Sequence, residues 1–263
     1  MLRAVLIASL LLSFLAGAVA PASAEPGPEP TMTASGEVLP HNLPRGSFAP
    51  AALRLGFTSA AVDGSPELAG IAFDLSRMVR FDTAGLPSCP AAALYAPRVS
   101  ARRVCADSFV GTGSVASQIA PPGQAPAAVS GALEAFYSRS GGQPRILARV
   151  VTGDPLPLTY VIPFEIVERG QSAPSLVVTR MDRLQGQCRA PRGGCFGQPY
   201  ALEGVYSRIE SLKMSLHRLV AARCPAPGRQ PAAMLPLGRV SLSYAAGGTL
   251  SAPLVQRCAV SGA

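Results

Sequence analysis

In Ala52-Leu53-Arg54-Leu55-Gly56-Phe57 an apolar side chain stands at nearly every second residue, and the pattern returns along the whole chain. Ile71-Ala72-Phe73-Asp74-Leu75 and Met78-Val79-Arg80-Phe81 repeat it, as do runs at 115–119, 132–137, 146–151, 156–167, 176–178, 240–244 and 250–255. A period of two gives a strand one face for a core and one for water. Gly and Pro punctuate the runs about every ten residues, the spacing of strands joined by turns rather than of βαβ units. The expected fold is all-β, a disulfide-stapled β-sandwich. Pro163 interrupts one run and predicts an edge strand or a bulge there. One stretch reads two ways. Val205, Ile209, Leu212, Leu216 and Leu219 have helical spacing, whereas Leu212, Met214 and Leu216 alternate with Lys213, Ser215 and His217 as in a strand.

The six cysteines are Cys89, Cys105, Cys188, Cys195, Cys224 and Cys258. Six allow fifteen connectivities, of which sequential pairing is the simplest. A Cys89–Cys105 bridge closes a loop of roughly fifteen residues and is worth about 3 kcal/mol of chain entropy. That loop is expected to hold a short helical turn at 99–106. Gly85-Leu86-Pro87 before it reads as a turn, and Val110-Gly111-Thr112-Gly113 after it as the start of a strand over 110–120. No C-x-x-C spacing is present to lower a thiol pKa, so the pairs read as structural rather than redox-active. Cys188–Cys195 would close a small Arg- and Gly-rich loop, and Cys224–Cys258 would staple the last strands.

The N-terminus carries an export signal. Met1-Leu2-Arg3 is a positive start, residues 4–19 are apolar, and Ala22-Ser23-Ala24 is an A-x-A cleavage site. The expected organisation is a signal peptide over 1–24 cleaved after Ala24, a disordered Pro- and Gly-rich linker over 25–44, and a β-sandwich domain over 45–263. Whether 45–263 forms one sandwich or two lobes meeting near 170 is left open. No later segment is long and apolar enough to span a bilayer, so the mature chain is expected to be extracytoplasmic, secreted or associated with the cell envelope.

Charge narrows the partners. The chain carries 23 basic and 15 acidic residues; losing Arg3 with the signal leaves 22 against 15, a net +7. The basic residues are scattered, Lys213 is the sole lysine, and there is no Trp. Nucleic-acid binding wants a basic stripe interleaved with stacking aromatics, which this chain lacks. A weak attraction to anionic surfaces is the milder consequence.

The order LPRGSFAPAAL (43–53), GLPSC (85–89), VCADSFVGTG (104–113), Pro121-Pro122 and ARCPAPG (222–228), followed by a final hairpin and a last Cys, resembles a family of secreted bacterial β-rich proteins of uncharacterised activity. The resemblance spans about 43–258. It implies a strand before the Cys224-Pro225 dipeptide, a first disulfide from Cys89 and Cys105, and a second from Cys224 and Cys258. Cys188 and Cys195 lie outside it. It implies no activity.

Candidate chemistry is sparse. A Ser-His-Asp triad would need His217 as its base and an exposed nucleophile, and no G-x-S-x-G elbow presents one; Ser114, after Gly111-Thr112-Gly113, resembles it loosely. His41 sits in the expected linker and reads as solvated. Two distant histidines and oxidised cysteines do not make a zinc site, so no metal or cofactor is expected. Glu165 and Glu168 are three apart on one expected strand and so point to opposite faces, unlike a glycosidase pair. The expected function is an exported, non-enzymatic binding or structural module of the envelope or extracellular space, its ligand unspecified. The alternative is a secreted Ser-dependent hydrolase using His217 as general base.

Overall fold

A computed structural model describes residues 31–60, 68–95, 100–120, 125–153, 155–169, 173–178, 181, 185–188, 200–201, 206–226 and 228–261. The expected signal segment and cleavage site, the expected lobe boundary near 170 and the expected Cys188–Cys195 pairing fall outside them. In chain order the strands are β1 (Thr31–Leu39), β2 (Asn42–Leu43), β3 (Ala49–Ala60), β4 (Leu68–Leu75), β5 (Val79–Phe81), β6 (Phe109–Ala120), β7 (Ala127–Ser140) and β8 (Gln143–Thr152). They continue with β9 (Leu158–Arg169), β10 (Ala173–Val178), β11 (Gln185–Cys188), β12 (Tyr200–Ala201), β13 (Tyr206–Ala222), β14 (Ala232–Tyr244) and β15 (Thr249–Val260). Short helices α1 (Ala91–Tyr95) and α2 (Ala101–Val104) lie between β5 and β6.

The all-β expectation holds, and each alternating run named above falls largely within a strand. The sandwich does not hold. The strands form one sheet in the order β1-β3-β13-β6-β7-β8-β9-β10-β4-β14-β15-β2, with β5, β11 and β12 paired off this path. Its two ends meet, so the arrangement is barrel-like. Alternation reports one buried face per strand, and two stacked sheets or one sheet curled on itself satisfy it equally. Curling is what the rings inside record: Phe57 of β3 lies 6.4 Å from Phe73 of β4, which lies 6.2 Å from Phe164 of β9. β3 and β4 are far apart in sheet order, yet their side chains share one core.

The expected disordered linker is also corrected over 31–44. Thr31 to Leu39 pair in continuous antiparallel register with residues 52–60 of β3. The segment's apolar period is faint: Met32, Ala34 and Val38 stand at every second place, but only Val38 of β1 is fully buried. Its order comes from the β3 ladder, a partner that lies elsewhere in the chain. Pro163 sits in β9, which is not an edge strand, since β8 pairs with one side and β10 and β11 with the other. On that other side the register passes from β11 at 158–161 to β10 at 165–169, and Pro163 falls in the gap where a ladder donor is not required.

Residues 206–222 are a strand. The strand carries two β-bulges, one between Ile209 and Ser211 against β6 and one between Leu216 and Val220 against β3. The first inserts one residue and resets the inward face, so Ile209 and Leu212 are buried three apart; in the second, four steps of β13 span two of β3, and Leu216, Leu219 and Val220 are all buried. The helical spacing in the sequence is a bulged strand.

The Cys89–Cys105 disulfide closes as expected, with Cα atoms 5.5 Å apart, and Cys224–Cys258 closes with Cα atoms 5.9 Å apart. The helical turn expected in the first loop is α2, joined by α1 ahead of it. Leu94, Ala101 and the cystine pack on Phe136, Leu147 and Val161, the outward residues of β7, β8 and β9. Ser138 Oγ donates to the Cys89 carbonyl at 2.7 Å, and Arg149 Nε donates to the Leu94 carbonyl at 2.9 Å. The stapled excursion is a lid over one patch of the barrel's outer wall, so Ile146 to Val150 are buried on both faces.

The barrel closes at a seam between β1 and β15 that has no continuous backbone ladder. The Gln256 carboxamide stands in for one: its Oε1 accepts from the Val38 N–H at 2.5 Å and its Nε2 donates to the Val38 carbonyl at 2.9 Å. Below it, Ala259 N–H donates to the His41 carbonyl at 2.9 Å, and β2 pairs with β15 in parallel. Val38 is fully buried, so removing the carboxamide strands two backbone groups. Gln256→Leu is expected to cost about 2 kcal/mol in urea unfolding, with raised amide exchange at 31–38. Unchanged stability would show that the seam is held by β2 alone.

Candidate functional site

The barrel wall places polar side chains in rows because every second residue of each strand points outward. One such row crosses four neighbouring strands in register: Glu37 of β1 opposes Arg54 of β3, Arg54 opposes Ser215 of β13, and Ser215 opposes Thr112 of β6. With Ser35, Lys213 and the small residues Gly36 and Gly113, they line a groove of about 420 Å³. Arg54 Nη1 donates to Glu37 Oε2 at 2.9 Å, and His41 Nε2 lies 2.9 Å from Glu37 Oε1. The hydrogen bond from His41, then that from Arg54, holds the Glu37 carboxyl below its usual range. Lys213 is exposed and has no hydrogen bond or ion pair among the described residues. The groove therefore offers one free ammonium, three hydroxyls and a fixed carboxylate–guanidinium pair.

His41, read as solvated, is exposed but engaged with Glu37. His217 lies elsewhere. It follows the buried Leu216 on the outward side of β13, edge-on to Phe109 with ring centroids 5.6 Å apart. Arg218, at a positive φ of 67°, donates from Nη1 to the Asp107 and Phe109 carbonyls. Arg102 stacks over Phe109 at 4.2 Å and bonds Glu134 at 2.8 Å. Ser114 opposes Lys213, four residues before His217 and roughly 13 Å away along the strand. The structure gathers His217 with an aromatic ring and two arginines, and does not bring Ser114 to it.

That setting fixes a titration. Burial, then Arg218 and Arg102, pushes the His217 pKa down from its ordinary value. With the folded-state pKa below the unfolded one, the stability it contributes is complete above about 6.5 and is lost as pH falls through the folded value. The His217 imidazole resonances are expected to titrate with a midpoint below that of a free histidine, and Arg102→Gln is expected to raise it. A midpoint unmoved by Arg102→Gln would place the cause in burial alone.

Glu165 opposes Arg145 and Glu168 opposes Pro174, on opposite faces of β9 as expected. Gly111 and Gly113 hold β6 against β13: a Cβ on either would overlap the carbonyl oxygen of Ser215 or Lys213 respectively. Among the described residues no group of three or more His, Cys, Asp or Glu is placed to hold a metal ion. The groove residues Ser35, Glu37, Arg54, Thr112, Lys213 and Ser215 were not legible as a site, because strand register assembles them. Their only trace in the sequence is that each is polar where its strand alternates, and that one is the sole lysine.

Comparison of the chain with protein families, with curated proteins and with solved structures found no match.

Proposed function

We propose that the chain is an exported, non-enzymatic binding module that holds a polar ligand bearing an acidic group on the outer wall of its barrel. The observation that carries this is the groove at Lys213, where an unpaired ammonium faces hydroxyls beside the fixed Glu37–Arg54 pair. An ammonium with hydroxyl neighbours favours a carboxylate or similar acid, and the neighbouring Glu37–Arg54 ion pair gives such a ligand polar anchor points on a rigid wall. Export is supported by the signal-type N-terminus and by two closed disulfides. The surroundings of His217 favour this reading over the hydrolase, since its neighbours are cations that disfavour the imidazolium a general base must form.

Two measurements test it. Expressed with residues 1–24 in a secreting bacterial host, the protein is expected to have an intact mass starting at Glu25 with its cysteines oxidised; a retained Met1 and free thiols would overturn export. Carboxylate-bearing saccharides and short peptides are expected to raise the melting temperature at saturation, and their neutral counterparts are not. Lys213→Ala is expected to abolish the shift at little cost in stability, as it is exposed. Equal shifts from neutral ligands, or shifts retained by Lys213→Ala, would remove the groove assignment.

A further inference from the structure

At one end of the barrel the chain gathers arginines around a single ring. Arg80 of β5 and Arg223, just past β13, each place a guanidinium carbon over Phe48, at 4.7 and 4.9 Å from its centroid. The two are diagonal neighbours on one face: Arg80 opposes Ala221, and the Arg223 N–H donates to the Met78 carbonyl at 3.0 Å. Arg45 stands on the adjoining loop, where Cys224 N–H donates to the Pro44 carbonyl at 3.0 Å and Arg45 Nη2 donates to the Gln230 carbonyl at 2.8 Å. None of the three arginines makes an ion pair, and the Nε atoms of Arg45 and Arg223 are buried without an acceptor, among the described residues.

Two guanidinium groups held against one ring repel each other, and an exposed surface offers long arginine side chains many ways to separate. Here Phe48 holds them together instead, by cation–π attraction on a flat face. Neither Arg80 nor Arg223 donates a side-chain hydrogen bond among the described residues, which leaves their N–H groups to bind an oxyanion bidentately. Arg80 is exposed and borders an open hollow of about 620 Å³, which gives a ligand access. Glu168 also lines that hollow and forms no ion pair with Arg80. Asp82, two residues on, is turned to its own turn, accepting the Ala84 N–H at 3.3 Å.

We propose that the Arg80 and Arg223 pair over Phe48, with Arg45 on the adjoining loop, is a binding site for an oxyanion with more than one negative charge, of the phosphate type. It is separate from the Lys213 groove and does not rest on it. The phosphate group is the shared chemistry of a free ion and of a phosphate-bearing polymer, and the test separates them. The purified, disulfide-intact protein is titrated calorimetrically with inorganic phosphate, inorganic pyrophosphate and long-chain polyphosphate.

Pyrophosphate is expected to bind saturably, and Arg80→Gln to weaken it about tenfold, the loss of one charge-assisted pair. Arg103→Gln, which removes an exposed charge of α2, and Lys213→Ala are expected to leave it unchanged. Arg223→Gln, checked for an intact Cys224–Cys258 bridge by mass, is expected to act like Arg80→Gln. Tighter binding of polyphosphate than of pyrophosphate, with the same Arg80 dependence, would assign the natural source to a polymer; equal affinity would assign it to the free ion. No binding by about 10 mM pyrophosphate, or equal losses in Arg80→Gln and Arg103→Gln, would overturn the site and leave only diffuse net charge.

Discussion

Gly113→Val is expected to destabilise the protein by about 3 kcal/mol or more. A Cβ on Gly113 would overlap the Lys213 carbonyl oxygen, and the carbonyl carbon lies 3.0 Å from the same point. The neighbour is backbone, committed to the β6–β13 ladder, so it cannot rotate away as a side chain would. Relief requires the two strands to part, and the loss spreads along a register that runs from Gly111–Leu216 to Ala120–Tyr206. For a chain of this size that energy corresponds to a fall of roughly 6–12 °C in melting temperature. Gly46→Ala is the control, since nothing lies within 4 Å of a Cβ placed there. A Gly113→Val protein melting within about 2 °C of the parent would mean that β6 and β13 are not in this register.

The same glycines show what the chain discloses and what it hides. Gly111-Thr112-Gly113 reads in the sequence as the start of a strand, and it is one; its close approach to β13 depends on a partner about a hundred residues away. Strand β13 shows the opposite case. Its helical spacing is a faithful record of which residues are buried, but two bulges rather than a helix produce it, and a bulge is decided by the partner strands β6 and β3. Strand β1 hides because its inward face is small or half-buried, with Ala34 and Gly36 in the middle, and its ladder partner lies elsewhere in the chain. The disulfides were legible because covalent partners are few, and the candidate sites were not. Lys213 and Glu37 meet only through register, and Phe48, Arg80 and Arg223 only through the ends of three strands. A period of two fixes the face a residue takes and leaves open which residues of other strands stand beside it.

The two staples are expected to fail differently. Cys89→Ala with Cys105→Ala opens a loop with a sequence separation of 16 and is expected to cost about 3 kcal/mol; Cys224→Ala with Cys258→Ala opens one of 34 and is expected to cost about 4. The first bridge holds a lid outside the barrel, through Leu94 and Ala101 on Phe136, Leu147 and Val161. Its loss is expected to appear as rapid amide exchange and proteolysis confined to 88–108, with the barrel ladders protected. The second ties the chain leaving β13 to β15, the strand that closes the seam beside Gln256 and Val38. Its loss is expected to raise exchange across β1, β2 and β15 together, and to sum less than additively with Gln256→Leu, because both act on one seam. Opening the first bridge with uniform loss of protection in every strand would make the excursion part of the barrel's core rather than a cover. Arg149, which donates to the Leu94 carbonyl at 2.9 Å, and Glu134, which accepts from Arg102 Nε at 2.8 Å, would then be the contacts through which it acts.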